Sequence, residues 1–470
     1  MFFNITGTYT DQYQLTMGQA YFLKGQKDDK AIFDYFFRKL PFDGGYAVFA
    51  GLGDLLEQIE QFRFDAEDIS YLKSQGFNSD YLNYLKNFHF TGNIYSSKEG
   101  EIVFPTSPVL TVEANIIEAQ LIETMLLNIL NFQTLIATKA SRMRFVAGKR
   151  KLIEFGLRRA QGAGGYFASK ASVIGGFDST SHVRVGRDYD IPISGTMAHS
   201  FVQSYDDEIS AFRDFSEVWS DNCVLLVDTY NTLEQGVPNA IKIGKEMEKR
   251  GKKLKGIRLD SGDLAYLAKK SRQMLDEAGL DYVEIAASNQ LDEHVIKSLL
   301  EQKAPIDIFG VGTNLAIGAP DAALDGVYKL AFARGKPRIK LSESLNKITL
   351  PGKKQVYRFF NGNGDFLGAD IVALAEESNH FSKMFHPFES AKSMSVKGYE
   401  MEPLLHKVME NGKPTMHTKT LKETMNYHQK RLKLLPSEYK RFENPHIYKI
   451  GLSLDLMNKR EDLRKKHEQE

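Results

Sequence analysis

The chain has 470 residues, with 61 Lys plus Arg against 60 Asp plus Glu and a formal net charge of +1. That length suits roughly two or three domains, or one large barrel with additions, and the charge balance gives no global field to attract nucleic acid or a membrane surface. Cys223 is the only cysteine, which excludes intrachain disulfides and a cysteine-built metal site and suits a reducing compartment.

The opening MFFNITGTYTDQYQ has no basic segment followed by a long apolar run. No stretch of about 18 apolar residues occurs elsewhere, so a soluble cytoplasmic protein is expected. AIFDYFFRKLPF, residues 31–42, has the aromatic and β-branched content of a strand, and Pro41, Gly44 and Gly45 then mark a turn. Residues 51–63 and 66–88 carry apolar residues at three and four spacing, which predicts helices. Residues 92–115 read as short strands separated by glycine and proline, and 117–138 as a buried packing helix almost free of charge. Together they predict a sheet domain with helical cover.

The middle of the chain changes character. KLIEFG (151–156), ASVIGG (171–176), DIPISG (190–195), NCVLLVD (222–228), LKGIRLD (254–260), VEIAAS (283–288) and IDIFGVG (306–312) are short apolar runs closing on glycine or a small or acidic residue. Most are separated by segments of helical period, and DGVYKLAFA (325–333) is a possible eighth. Repeated strand and helix crossovers predict a parallel sheet closing into a barrel, whose strands read as continuous apolar runs because both faces are covered. In such barrels the active site lies at the C-terminal ends of the strands, where these polar tips fall. The expected division is an N-terminal α/β sandwich over 1–140 completed by 336–430, an α/β barrel over 141–335, and a C-terminal helical extension over 431–470. The last helix, with charges of alternating sign, reads as a solvated tail.

The rim chemistry follows from the tips. Phe155, Arg158 and Arg159 place an aromatic face beside cations that bind phosphate or carboxylate through paired donors. Asp178, Ser179 and Thr180 follow the second run, and Arg258, Asp260, Ser261 and Asp263 the fifth. Arg258 and Asp260, two apart on a strand, point to one face. ISGTMAHS, 193–200, reads as an apolar strand ending in a small-residue turn with Gly195, Thr196 and His199. In FGVGTNLAIG, Gly310 and Gly312 allow close backbone approach while Thr313 and Asn314 offer donors, the pattern of a phosphate cradle. The carboxylates could hold a hydrated magnesium ion through a ligand's phosphates. No strand ends in a lysine placed for a Schiff base and no histidine cluster has zinc spacing, which argues against aldolases and zinc hydrolases. A planar ring and a phosphorylated sugar suit this inventory best.

TDQYQLTMGQAYF (10–22), FDYFFRKLPFDGGYAVFAGL (33–52), LLNILNFQTLIATKASR (126–142), EFGLRRAQG, GGFDSTSHV, SGTMAHSFV, LLVDTYNT, IRLDSGDL, ASNQLDE, FGVGTNL and NPHIY (444–448), in this order, closely resemble the nicotinate phosphoribosyltransferase family. The resemblance implies an irregular α/β barrel joined to an N-terminal α/β sandwich, usually dimeric. It implies formation of nicotinate mononucleotide and pyrophosphate from nicotinate and phosphoribosyl pyrophosphate, with Mg2+ and with ATP as co-substrate, in NAD biosynthesis. It further implies that His199 is phosphorylated by ATP, that Phe155 and Tyr13 sandwich the pyridine ring, and that Tyr13 comes from the neighbouring subunit of a homodimer. Thr196 and Arg258 match positions near nicotinate, with Arg158 and Ser179 as further readers of its carboxylate. Asp260, Ser261, Asn289, Gly312 and Thr313 match the ribose and phosphate side, and Asp228 is expected to position neighbours. His199, Arg258 and Asp260 are the expected catalytic set. A nicotinamide-using relative, which carries an aspartate where this chain has Ser179, is the alternative; a non-catalytic barrel that binds phosphoribosyl ligands is a third reading.

Overall fold

The protein is described by a computed structural model over residues 5–342, 347, 349–389, 391–415 and 419–469. Its two compact units are Met1–Thr138 with Ala323–Glu470, and Lys139–Ala322.

In the first unit the aromatic strand Lys30–Phe37 lies between two antiparallel partners, Leu110–Asn115 and Gly326–Ala333. It sits in a seven-stranded sheet whose far strands are Lys336–Pro337 and Lys413–Pro414. Ile32, Phe33, Tyr35 and Phe37 are buried, as expected where both sheet faces are covered. The predicted short strands form as Asn93–Ser96, Ile102–Val103 and Leu110–Asn115, and the helical periods as Leu52–Gln61, Ala66–Ser74 and Ser79–Lys86. The charge-poor stretch forms the helices Ile116–Leu121 and Glu123–Ala147.

Two expectations fail in this unit. DGVYKLAFA is not an eighth barrel strand: it pairs antiparallel with Lys30–Phe37, so residues 323–335 belong to the first unit. An apolar run identifies a buried strand but not its partner. Nor is 431–470 a helical extension, because Lys449–Leu452 is an inner strand of a six-stranded sheet, parallel to Phe366–Leu374. The final helix Leu454–Gln469 buries Leu456 against it.

That sheet buries an ionic lock. Arg358, fully buried, donates from Nε and Nη2 to Asp370 at 3.0 and 2.9 Å, from Nη1 to Glu101 Oε1 at 2.7 Å and from Nη2 to the Ile102 carbonyl at 2.8 Å. Arg431 Nε reaches Glu101 Oε1 at 2.9 Å, and the Tyr427 hydroxyl donates to the other Glu101 oxygen. Tyr448, the tyrosine of NPHIY, donates to Asp370 Oδ1 at 2.7 Å and stacks on Phe104 with centroids 3.5 Å apart.

The second unit carries a six-stranded parallel sheet. Its order is Ser179–Thr180, Lys151–Glu154, Ile308–Val311, Glu284–Ser288, Gly256–Leu259, Val224–Leu226. Helices such as Val237–Lys249, Leu264–Glu277 and Glu293–Glu301 connect successive strands. This is the irregular α/β barrel, open between its two outermost strands, which share no ladder among the described residues. ASVIGG is not one of its strands but the end of the helix Gly164–Ile174. Its alanines and serines suit a helix packed on a sheet as well as they suit a strand. DIPISG is reduced to one bridge, Thr180 to Ile193, where Pro192 has no N–H for a ladder. Consequently His199 does not end a strand; it begins the short helix His199–Gln203.

Candidate active site

Inside the barrel, inward positions decide what space is left. Ile153 pairs with Ser179 on one side and Gly310 on the other, while Arg258 pairs with Ala286, which pairs with Ile308. Barrels of this class normally fill their interior with branched side chains. Here glycine, alanine and serine occupy several of those positions and leave a cavity of about 600 Å³, whose lining includes Phe155, Ser179, Thr196, Arg258, Ala286 and Gly310. The volume suits a small organic ligand. A Cβ at Gly310 would lie 2.3 Å from Phe155 Cε2, so any larger residue would displace the ring that lines the cavity.

Arg258 lines this space together with two lysines, Lys151 and Lys255. Its Nη1 donates to Thr196 Oγ1 at 2.9 Å and its Nη2 to the Met197 carbonyl at 2.9 Å, while Nε is buried without a partner. Burial lowers the proton affinity of the guanidinium, an effect opposed by Asp260 and Asp228 and reinforced by Arg158. Guanidinium remains charged under such shifts, and one unused buried donor is a group prepared for an anion.

The rim is held by loops after three strands. Asp228 Oδ2 accepts the Asp260 amide and the Ser261 hydroxyl, both at 2.7 Å. The expectation that Asp228 positions its neighbours is therefore met by direct contacts. The Ser288 hydroxyl donates to Asp260 Oδ1, and Asp260 Oδ2 lies 3.9 Å from His199 Nε2. His199 Nδ1 is 3.1 Å from Thr229 Oγ1. His199, Asp260, Arg258 and Thr196 thus come together as the sequence predicted.

Other predicted residues take different places. Asn289, with φ of 78°, turns in the left-handed region directly after Ser288, and Thr313 opens a four-residue helix behind Gly312. Asn314 does not offer a free donor; its amide lies 3.3 Å from the Gln290 and Leu291 carbonyls and ties two rim loops together. Asp263 caps the helix Leu264–Glu277 by accepting from the Tyr266 amide at 3.0 Å. Arg158 and Arg159 sit exposed in the 3-10 turn Leu157–Arg159. Asp178 accepts from Arg144 and from the Leu152 amide. Tyr13 is 48% exposed on the helix Gln12–Leu23 of the first unit.

Sequence reasoning missed three supporting groups. Thr229 and Ser288 lay inside quoted motifs, one residue from the residues singled out. Glu154, fully buried, accepts from the Ser169 and Thr180 hydroxyls at 2.7 and 2.6 Å and from the Gly156 amide, which fixes the turn presenting Phe155.

Among the described residues no group of three or more His, Cys, Asp or Glu could hold a metal by itself, and no helix is long and apolar enough to cross a membrane. The half-exposed Asp260 carboxylate fits a divalent ion held chiefly through a ligand's phosphates.

Three family models cover most of the chain. They are the nicotinate phosphoribosyltransferase (NAPRTase) N-terminal domain over residues 8–131, the family itself over 150–362, and the C-terminal domain over 353–460. Nicotinate phosphoribosyltransferase of Bacillus subtilis is 45% identical over 95% of this chain and 93% of its own length. That of Dictyostelium discoideum is 37% identical over 97% and 87%. The crystal structure of human nicotinic acid phosphoribosyltransferase superposes with a TM-score of 0.87 at 30% identity, covering 97% of this chain and 99% of that one.

Proposed function

The chain belongs to the nicotinate phosphoribosyltransferase family, and from that premise we propose that it is an enzyme joining nicotinate to phosphoribosyl pyrophosphate, with ATP and Mg2+, in NAD biosynthesis. The pyridine nitrogen attacks C1 of the ribose, the C1–O bond to pyrophosphate breaks, and nicotinate mononucleotide forms. No nucleophile of the protein is needed, so positioning and charge stabilisation carry the rate. The observation that supports this most is the hollow barrel: an aromatic wall, a hydroxyl and a guanidinium with an unused donor surround one cavity.

Phe155 offers its face to the ring, and Ser179, buried on the strand beside it, donates to the ring carboxylate. An aspartate at 179 would repel that carboxylate and suit an amide, so serine favours the acid over nicotinamide. The relatives named above act, by their names, on nicotinate. Arg258 neutralises charge on the departing pyrophosphate. Asp260 binds the ribose and would help hold Mg2+, which when bound supplies further neutralisation of the phosphates. Gly312, Thr313 and Asn289 border the phosphate. Tyr13 covers the ring from the partner subunit of a homodimer.

His199 is the phosphorylation site. With Nδ1 directed to Thr229, Nε2 is the nitrogen left to attack the γ-phosphorus of ATP as ADP leaves. Water later breaks the N–P bond and releases phosphate. The added negative charge beside Asp260 alters the affinity of the pyrophosphate side.

Purified protein with Mg2+ and phosphoribosyl pyrophosphate should release pyrophosphate with nicotinate, and faster with ATP. His199→Ala should remove the ATP stimulation while retaining slow transfer. Preference for nicotinamide, or full stimulation of the variant, would overturn the corresponding part of the reading.

A further inference from the structure

The loop after the strand Glu284–Ser288 passes through Asn289 and Gln290, with φ of 78° and 52°. Two consecutive side-chain-bearing residues in the left-handed region are strained, and for glutamine that conformation is uncommon. Such strain persists only where the surroundings over-determine it. Here both ends of the loop are fixed. Ser288 is buried and donates to Asp260 Oδ1, and Leu291 is buried. Asp292 caps the helix Glu293–Glu301 by accepting from the His294 and Val295 amides at 2.9 and 2.8 Å. Glu293 is held by Arg142 Nε at 2.8 Å and by Lys139 Nζ at 2.6 Å. Between those ends, Asn314 Nδ2 reaches across the rim to the Gln290 and Leu291 carbonyls, 3.3 Å from each. Both partners only accept, so the nitrogen of the amide, and not its oxygen, faces the loop.

We propose that Asn314 is a positioning residue whose amide hydrogens hold the Asn289–Gln290 turn in its left-handed form. Asn314 is rooted beside Thr313 in the short helix Thr313–Ala316 behind Gly312. One side chain therefore fixes the spacing between the glycine cradle and Asn289, the two parts of the rim assigned to the ribose and phosphate groups of phosphoribosyl pyrophosphate. Without it the strained turn has no donor from across the rim and relaxes towards ordinary backbone angles, which displaces Asn289. Asn314 acts on the reaction through two backbone carbonyls and not by touching the substrate. A side chain that read the ligand through its oxygen would be replaced by aspartate; one that holds carbonyls through its nitrogen would not.

The inference rests on the reading of this rim as the site that binds phosphoribosyl pyrophosphate. Asn314→Ala should raise KM for phosphoribosyl pyrophosphate about tenfold, with KM for nicotinate and the melting temperature little changed. Asn314→Asp, of the same shape, sets an anion against two carbonyls and should be at least as damaging as alanine. Gln290→Gly supplies the rescue, because glycine takes positive φ without steric cost and the turn then no longer needs the amide. In that background Asn314→Ala should cost less than about threefold, a non-additivity that independent sites do not show. Hydrogen exchange over residues 288–295 should quicken in Asn314→Ala. Aspartate as active as wild type, equal losses from alanine with and without Gln290→Gly, or unchanged exchange would overturn the proposal. If wild type releases no pyrophosphate from any substrate pair, the functional reading fails while hydrogen exchange still reports on Asn314.

Discussion

The ionic lock of the first unit and the rim of the second are built from the same residue types and behave in opposite ways. Around Arg358, both oxygens of Glu101 and Asp370 accept hydrogen bonds and the aromatic rings of Phe104 and Phe366 shield the charges. At the rim, Arg258 Nε and Asp228 Oδ1 are buried and unpartnered. A fully satisfied network has no capacity for another partner and rigidifies its surroundings. An incomplete one carries the cost of unsatisfied polar groups, which a ligand removes.

The largest effect should come from breaking the lock. Arg358→Met leaves Asp370 buried without a cation and Glu101 with Arg431 alone, and about 3–5 kcal/mol of stability should be lost, read by thermal or denaturant unfolding. Replacing all three by apolar residues should be less damaging than the single change; equal damage would mean that volume rather than charge is the issue. Arg258→Ala should do the reverse: kcat falls about 10²- to 10³-fold, while the melting temperature moves little because an incompletely paired buried charge is removed. A variant unfolded as badly as Arg358→Met would erase the distinction. The smallest expected effect is Gly310→Ala, whose new methyl must displace the Phe155 ring. It should raise KM for nicotinate about tenfold through misplacement of the ring site, and unchanged kinetics would remove Phe155 from the cavity's binding wall.

Much of this was legible in the chain. The parallel strands announce themselves as apolar runs with polar tips, and the tips Thr196, His199, Arg258 and Asp260 do converge. Legibility ended where an assignment depends on a distant partner. Nothing in DGVYKLAFA says that its neighbour is Lys30–Phe37, and nothing in DEISAF says that Glu208 meets Asn239. NPHIY was readable only as a family mark; its tyrosine acquires a physical meaning once Asp370, 78 residues away in sequence, is seen to accept its hydroxyl.

Asp228 and Thr229 are consecutive residues that serve different halves of the rim. One fastens the Asp260–Ser261 turn, and the other meets the imidazole of His199. The peptide plane between them is shared by both sides, so a rotation there would move both sets of contacts together. Thermodynamic reciprocity then applies to binding: whatever factor a change at His199 imposes on affinity at Asp260, occupancy at Asp260 imposes on His199 in return.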